Sequence, residues 1–266
     1  NTVHFRANNY LEISRPIETF YGIFGSNQYP HASVAINYNY HYIGFDSYDE
    51  IGMFRYNYGT ICNIQVDVNV NVTGGVNSSG AHIASIAAYN YGSLINCRVN
   101  NFTVNSRCAA GYVGAIAAEN HGLIEDCYSV NHVTTSGKFG GITAENHADG
   151  IVRNCGVFGT VDLYIDYVNG KYTTTYFGGV VGINSGTISN CRVGGWDDDS
   201  LKLTVHVDYV DNKDLKPYIG TICGYNNGTI SACQRIVFIL DTGNLHSFRV
   251  WFTTYNQKEN INNNLG

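Results

Sequence analysis

A short pattern of apolar, asparagine and glycine positions recurs six times along this chain. In its fullest copy, Phe177 to Cys191, apolar and small residues precede Asn184, and Gly186 and a second short apolar strand follow it. Aligning the other copies on this one produces a column of asparagines: Asn57, Asn90, Asn120, Asn146, Asn184 and Asn226. A glycine follows each asparagine, and a third column holds Cys97, Cys127, Cys155, Cys191 and Cys233. Repeats of roughly 20–50 residues are typical of solenoids, propellers and arrays, so a repeat architecture is predicted.

The order of residues within one repeat predicts a coil of a parallel β-helix, an all-β solenoid. Strand alternation is expected to place Val180, Asn184, Ile188 and Asn190 on the same side of the backbone. Stacked asparagines can hydrogen-bond to one another, as in cross-β ladders, so we interpret the asparagine column as scaffold. No segment shows the apolar period of a helix, and each repeat offers too few strands for a four-stranded propeller blade.

Each repeat continues into a longer strand that is predicted to have one solvated face. Apolar and polar residues alternate from Val66 to Val72 and again from Leu201 to Val207, which is typical of a half-buried strand. We predict a single β-helix domain whose parts are an N-terminal cap or first coil, the repeats and a C-terminal cap, at residues 1–45, 46–235 and 236–255. Residues 256–266 are polar and are expected to form a tail or linker.

Composition supports strands and excludes two classes of partner. The chain of 266 residues contains 30 Gly and 21 Tyr but only three Pro, which suits many strands and tight turns. With a net charge of −6 and no stripe of lysine or arginine, the chain is not expected to bind nucleic acid. No apolar run approaches the ~20 residues of a membrane span, so membrane insertion is not expected either. The chain begins at Asn1 rather than Met, and we expect it to be a module of a larger polypeptide.

Eight cysteines raise the question of a disulfide framework, but five of them share one column. Five equivalent side chains in a stack cannot all pair with a neighbour, because each disulfide uses two. The column is therefore interpreted as a ladder of buried thiols that act as small apolar groups. Cys62, Cys108 and Cys223 lie off the column.

The fullest repeat resembles a known family. The segment from Gly178 to Cys191 is similar to the GLUG repeat, whose pattern is G-G-L-V-G-x-N-x-G-x-I-x-N-C, and Tyr21 to Asn27 resembles the opening that often precedes such repeats. The resemblance implies a right-handed parallel β-helix in a bacterial surface or secreted protein, often an adhesin. Some immunoglobulin A1 peptidases carry these repeats beside a zinc protease domain. The protease's H-E-x-x-H motif is absent from this sequence, so peptidase activity is not implied.

The residues that flank the asparagine column are the first candidate binding site. In chain order they are Tyr56, Tyr58, Tyr89, Tyr91, Glu119, His121, Glu145 and His147. Coils stacked at about 4.8 Å would align them in a ladder of tyrosines that leads into carboxylates and imidazoles. Aromatic rings beside polar acceptors suit sugars, which combine apolar faces with hydroxyl rims. The alternative is that the tyrosines stack only to cover the edge of a turn.

Glu119 and Glu145 also raise the question of catalysis. Glycosidases place two carboxyl groups roughly 5–5.5 Å or 6.5–9.5 Å apart, and stacked glutamates can meet the shorter separation. Mutual repulsion is then expected to raise the pKa of one carboxyl group. An exposed turn excludes no water, so catalysis is the less favoured interpretation.

Two further candidate sites lie in loops. Trp196 precedes three carboxylates, Asp197, Asp198 and Asp199, which offer oxygen ligands for calcium, the only cofactor that the sequence suggests. The alternative is a solvated acidic turn. Loops on a rigid scaffold often carry binding residues, and Tyr164, Tyr167 and Tyr209 lie on or near a loop motif that occurs twice.

These observations favour a non-catalytic binding or adhesion module of an exported, extracellular bacterial protein. The expected partners are a carbohydrate or host glycoprotein and other modules of the same polypeptide. One alternative is a structural stalk that separates other modules, and another is a β-helix enzyme that cleaves glycans.

Overall fold

The structure is a computed structural model that describes eleven segments of the chain: residues 11–13, 17–25, 32–41, 50–73, 81–107, 111–168, 171–195, 200–207, 217–235, 238–241 and 255–256. Every regular element within these segments is a β-strand, and nearly all of the strands run parallel in four sheets. Each circuit of the chain, called a coil below, passes through the sheets in one order, numbered here sheet 1 to sheet 4. Successive coils stack on one another, so the predicted parallel β-helix is confirmed.

The first two sheets are adjacent along each coil. The strands of sheet 1 are Glu50–Ile51, His82–Ile83, Tyr112–Gly114, Lys138–Gly140, Tyr176–Gly178 and Tyr218–Gly220. The strands of sheet 2 are Ile17–Phe20, Phe54–Asn57, Ala87–Asn90, Ala117–Asn120, Thr143–Asn146, Val181–Asn184, Cys223–Asn226 and Tyr255–Asn256. Six of these strands end at the asparagine column, and the last strand places Asn256 in register with Asn226.

The other two sheets complete the coil. The strands of sheet 3 are Ile23–Gly25, Thr60–Cys62, Ser93–Ile95, Leu123–Glu125, Ile151–Arg153, Thr187–Ser189 and Thr229–Ser231. Those of sheet 4 are Leu11–Ile13, Ala32–His41, Ile64–Thr73, Arg98–Ser106, Tyr128–Thr135, Gly156–Ile165, Arg192–Val193, Leu201–Val207, Gln234–Arg235 and Phe238–Asp241. An antiparallel hairpin, Tyr167–Val168 with Lys171–Tyr172, follows the sixth of these strands.

The asparagine column forms a continuous hydrogen-bonded ladder inside the β-helix. Nδ2 of each asparagine donates to Oδ1 of the next at 2.7–2.8 Å, in the order Asn57, Asn90, Asn120, Asn146, Asn184 and Asn226. All six side chains are buried. The same amides hold the turn, since Nδ2 of Asn120 also donates to the Gly122 carbonyl at 3.0 Å. The predicted ladder is confirmed, and the polar column is tolerated in the interior because its amides are hydrogen-bonded.

The glycine column is required by the close approach of stacked turns. A Cβ atom on Gly122 would lie 2.1 Å from the carbonyl oxygen of Gly92, and one on Gly228 would lie 2.1 Å from that of Gly186. Backbone atoms cannot move aside without breaking the hydrogen bonds between coils, so only glycine fits.

The cysteine column follows a column of left-handed residues. Those residues have φ values of 51–56° and are Asn63, Asn96, Asp126, Asn154, Asn190 and Ala232. The prediction that Asn190 shares the buried side with Asn184 is wrong, because Asn190 occupies this left-handed turn and its side chain is exposed. The short polar side chains at most of these positions tolerate the left-handed conformation.

The cysteines of the described segments are free thiols, as the sequence predicts. Cys97, Cys127, Cys155 and Cys191 are buried, whereas Cys233 is partly exposed at the C-terminal end of the column. Burial raises the pKa values of the Cys97 and Cys155 thiols, so these side chains stay neutral and pack as apolar groups.

Apolar columns fill the rest of the interior. The column from sheet 1 is Ile51, Ile83, Val113, Phe139, Phe177 and Ile219. The column from the corner before sheet 2 is Met53, Ile86, Ile116, Ile142 and Val180. The column from sheet 3 is Phe24, Ile61, Leu94, Ile124, Val152 and Ile188. In sheet 4 buried side chains alternate with exposed or partly exposed ones from Val66 to Val70 and from Leu201 to Val205, so its predicted solvated outer face is confirmed.

A coil precedes the first repeat recognised in the sequence. Phe20 pairs in register with Asn57, and its ring centroid lies 4.7 Å from that of Phe54. The glycine column extends into this coil, since a Cβ on Gly59 would lie 2.2 Å from the carbonyl oxygen of Gly22. An aromatic ring therefore takes the asparagine position at the N-terminal end of the ladder.

Candidate functional site

Three rows of outward side chains run along the β-helix beside the asparagine ladder. The sheet 1 row is Glu50, His82, Tyr112, Lys138, Tyr176 and Tyr218. The sheet 2 row is Tyr56, Tyr89, Glu119, Glu145, Ile183 and Tyr225. The turn row, just after the asparagines, is Tyr21, Tyr58, Tyr91, His121 and His147. Residues of one row are one coil apart.

The sheet 1 and sheet 2 rows touch each other across the corner between their sheets. The ring of His82 lies 4.9 Å from that of Tyr89, and the ring of Tyr218 lies 5.6 Å from that of Tyr225. Outward side chains of successive sheets can meet only where the sheets enclose a concave angle. We call this surface, lined by the two rows, the concave face.

The flanking residues predicted as one ladder form two columns instead of one. Tyr56 and Tyr89 belong to the sheet 2 row and stack at 5.2 Å, while Tyr58 and Tyr91 belong to the turn row and stack at 4.8 Å. The turn row begins one coil earlier than predicted, with Tyr21 stacked 5.1 Å from Tyr58. Ring faces within each stack cover one another, so a ligand meets mainly ring edges and hydroxyl groups.

The two columns change from tyrosine to ionisable residues in the same coil, and Glu119 lies at the centre of the result. Oε1 of Glu119 lies 2.7 Å from Nε2 of His82, and its Oε2 lies 2.7 Å from Nε2 of His147. Nε2 of His121 is 3.9 Å from the same Oε2. The His121 and His147 rings stack with centroids 3.8 Å apart. We call Glu119, His82, His121 and His147 the imidazole cluster.

Opposing effects set the protonation of the cluster. Burial alone would raise the pKa of Glu119, but hydrogen bonds with His147 and His82 lower this pKa to about 2. The hydrogen bond with Glu119 raises the pKa of His147. Burial, together with the neighbouring His147, lowers the pKa of His121. Glu119 is therefore a carboxylate at neutral pH, and the pKa increase expected for one of the two stacked glutamates does not occur at Glu119.

The neighbouring carboxylate, Glu145, has its own cation. Nζ of Lys138 lies 3.5 Å from Oε2 of Glu145 and 3.5 Å from the centre of the Tyr112 ring. Oε1 of Glu145 lies 3.9 Å from Nε2 of His147. The imidazole of His147 thus lies between the two glutamates and reduces the repulsion between their carboxylates.

The two loop candidates that the structure describes, Tyr164 and Tyr167, lie on other elements than this site. Tyr164 lies on sheet 4, where its ring packs 4.2 Å below the Arg107 guanidinium and 4.4 Å from the ring of His206. Tyr167 lies in the hairpin and is 44% exposed. The predicted calcium and ligand residues Trp196, Asp197, Asp198, Asp199 and Tyr209 lie outside the described residues.

The sheet 1 row was missed in the sequence, although a signal for it exists. His82 lies eight residues before Asn90, and Tyr112 and Lys138 occupy the same position in the next two copies. Tyrosine, histidine, lysine and glutamate all occur in this row, so the main signal is an offset of eight residues from the asparagine, which holds in every copy of the row except the first, where Glu50 lies seven residues before Asn57. They become part of a site because sheets 1 and 2 meet at a concave angle, and this angle cannot be inferred from the repeat pattern.

Comparisons with protein-family models, curated proteins and solved structures found no match to this chain. The resemblance to the GLUG repeat therefore stays a prediction. Within the segments that the structure describes, no helix is long and apolar enough to cross a membrane.

Proposed function

We propose that the chain is a non-catalytic module that binds an extended glycan along its concave face. The observation that carries this proposal is the pairing of two rows of outward side chains across six stacked coils, in which every residue except Ile183 carries a polar group. A regular line of hydroxyl, imidazole and carboxylate groups is suited to a linear polymer that itself repeats hydroxyl groups. The GLUG resemblance supports placing such a module in an exported bacterial protein.

The state of Glu119 favours binding over glycan cleavage. A general acid in a glycosidase keeps its proton near neutral pH because its pKa is raised. The pKa of Glu119 is lowered to about 2, and both of its oxygens are occupied by imidazoles. A carboxylate in this state accepts hydrogen bonds from ligand hydroxyl groups and does not protonate a leaving group.

The proposal is tested with an array of soluble polysaccharides and host-type glycans, followed by affinity measurements on the best ligand. The double variant Tyr176→Phe, Tyr218→Phe removes two hydroxyl groups but keeps the ring stack, whose centroids are 4.8 Å apart. We expect affinity to fall roughly tenfold or more, since each lost hydrogen bond contributes about 1 kcal/mol.

A matched control is Tyr164→Phe, which removes a hydroxyl group from a stacked tyrosine on sheet 4. We expect it to bind the glycan as the wild type does. Undiminished binding by the double variant would overturn the concave face as the site. Absence of binding to every glycan would favour the stalk, and appearance of shortened glycan products would favour the enzyme.

A further inference from the structure

We propose that Glu119, His121 and His147 form a binding site for a divalent transition metal ion, for which zinc is the probe. Their ligand atoms all lie within 4.8 Å of one another. Two imidazoles and a carboxylate are a ligand set used for zinc and other borderline divalent metals. The inference does not rest on glycan binding, and the zinc titration below tests it separately from the glycan measurements.

The distances fit a metal ion after small side-chain movements. With bonds of about 2.0–2.1 Å, two ligands of a tetrahedral zinc ion lie about 3.3 Å apart. The present separations from Oε2 of Glu119, 2.7 Å to His147 and 3.9 Å to His121, lie on either side of this value. Oε1 of Glu145, 3.9 Å from Nε2 of His147, is placed to be a fourth ligand.

The stacked imidazoles must turn to bind. Their planes are within 9° of parallel, so an ion between them would lie outside both ring planes. Rotation of one ring about its Cβ–Cγ bond, together with release of the proton that Nε2 of His147 donates to Glu119, directs the Nε2 lone pairs toward the ion. The side chains of His121 and His147 are 22% and 30% exposed, which leaves room for this rotation. Metal binding is therefore expected to break the stack.

A second residue holds the carboxylate in place. His82, buried and stacked 4.5 Å from the Tyr112 ring, lies 2.7 Å from Oε1 of Glu119 and leaves Oε2 directed toward the other two imidazoles. Metal-ligating carboxylates are usually oriented by such outer hydrogen bonds. His82 is thus a positioning residue.

The alternative explanation is that the imidazoles only continue the tyrosine stack. That role needs no nitrogen atoms, because Tyr58 and Tyr91 stack equally well in the same row. Histidine replaces tyrosine in the turn row in the coil where glutamate replaces tyrosine in the sheet 2 row. A ligand set explains why both rows change together, whereas a covering role explains neither change.

The test is a calorimetric titration of the whole chain, stripped of metal with a chelator, with zinc chloride. The protein carries Cys62→Ser and Cys233→Ser, because these two are the partly exposed thiols among the cysteines that the structure describes. We expect one equivalent to bind, and His147→Tyr to weaken this binding at least roughly tenfold. His147→Tyr keeps an aromatic ring in the turn row, so the variant should stay folded in chelator, with a thermal midpoint lowered only by the loss of the Glu119 contact. His82→Phe should weaken binding roughly 10–100-fold without removing a ligand.

His206→Gln is the matched control, because Nε2 of His206 lies 3.1 Å from a carboxylate, Asp162, on a different sheet. It should bind zinc as the parent does. Equal zinc affinity in the parent and in a folded His147→Tyr variant would overturn the proposal. A remaining alternative is that cysteine thiolates bind the ion, and substitution with cobalt tests it. An intense thiolate charge-transfer band in the cobalt form would assign the ion to cysteine and would also overturn the proposal.

Discussion

Nδ2 of Asn120 donates a 2.8 Å hydrogen bond to Oδ1 of Asn146, although 26 residues of chain separate them. Oδ1 of Asn120 in turn accepts an equivalent 2.8 Å hydrogen bond from Nδ2 of Asn90. Each inner asparagine is therefore both donor and acceptor in the ladder. Asn57, at the first position of the ladder, makes only one such bond, and this difference provides an internal control.

Replacing an inner asparagine should destabilise the β-helix strongly. In Asn120→Ala, Nδ2 of Asn90 loses its Asn120 acceptor and Oδ1 of Asn146 loses its donor, both in the buried interior. Each buried polar group left without its bond costs about 1–3 kcal/mol, so we expect a total loss of about 3 kcal/mol. Urea unfolding followed by circular dichroism measures the loss.

The control is Asn57→Ala, at the first position of the ladder. Asn57 makes one ladder bond, to Asn90, and accepts from the Gly59 amide at 3.1 Å. Its replacement should cost about half as much as that of Asn120. Equal losses in the two variants would mean that ladder bonds do not determine the stability of the column.

Adding a single methyl group to the glycine column should be as damaging. In Gly122→Ala the new Cβ would lie 2.1 Å from the Gly92 carbonyl oxygen, and only separation of the coils can relieve this clash. We expect a loss of about 3 kcal/mol or more, at or above the upper end for overpacked sites. Thermal unfolding of purified protein measures it.

Gly52→Ala is the matched control, because its Cβ would lie no closer than 3.1 Å to a neighbouring atom. A few tenths of an ångström of movement accommodates that contact, so the expected change is below about 1 kcal/mol. Similar losses at Gly52 and Gly122 would contradict the steric explanation of the column.

The scaffold was predictable because every coil repeats the same constraint. Six copies of one column point to a single structural cause, and the stacked amides and glycines supply it. Residues 1–45 were predicted only as a cap or first coil and not as a copy of the repeat, because Phe20 stands where the other coils have asparagine, although Tyr21 and Gly22 match Tyr58 and Gly59. A pattern defined by asparagine alone fails at the N-terminal end of the ladder, because there the preceding coil places an apolar side chain, Phe20, in register with Asn57 instead of another asparagine.

The candidate site was predictable only in part. Glu119, His121 and His147 flank the asparagine column, so their proximity follows from stacking alone. Approach of His82 to Glu119 depends on the angle between sheets 1 and 2, which alternation along a strand does not encode. The left-handed turn at Asn190 was missed for a related reason, since period-2 counting assumes that the strand continues through it.

The thiol ladder predicts an unusual titration result. In denaturant without reductant, the seven cysteines that the structure describes should all react with a thiol reagent. In the native protein the five buried ones, Cys97, Cys127, Cys155, Cys191 and Cys223, should be protected. Burial also raises the pKa of Cys223, which lowers its reactivity further. Fewer than seven reactive thiols in the denatured, freshly purified protein would contradict the ladder of free thiols.

The Glu119–His147 pair predicts how stability depends on pH in metal-free protein. Folding lowers the pKa of Glu119 from 4.5 to about 2, so its contribution is complete above about pH 4.5 and is lost as pH falls toward 2. Folding raises the pKa of His147 from 6.5, so its contribution is complete below about pH 6.5 and is lost as pH rises through the higher value. The stabilisation by the pair should therefore be largest between these limits.

His147→Gln isolates this effect, because the difference in urea midpoint between wild type and variant removes contributions that both proteins share. Measured in chelator from about pH 3 to pH 8, the difference should be largest between about pH 4.5 and 6.5 and should decrease on both sides. His121, whose pKa burial and His147 lower, opposes the pair within the same range, since its protonation is disfavoured in the folded state. His121→Gln in both proteins removes this opposition, and the maximum should then become higher. A difference that stays constant across the range would show that the 2.7 Å contact between Glu119 and His147 is not an ion pair in solution.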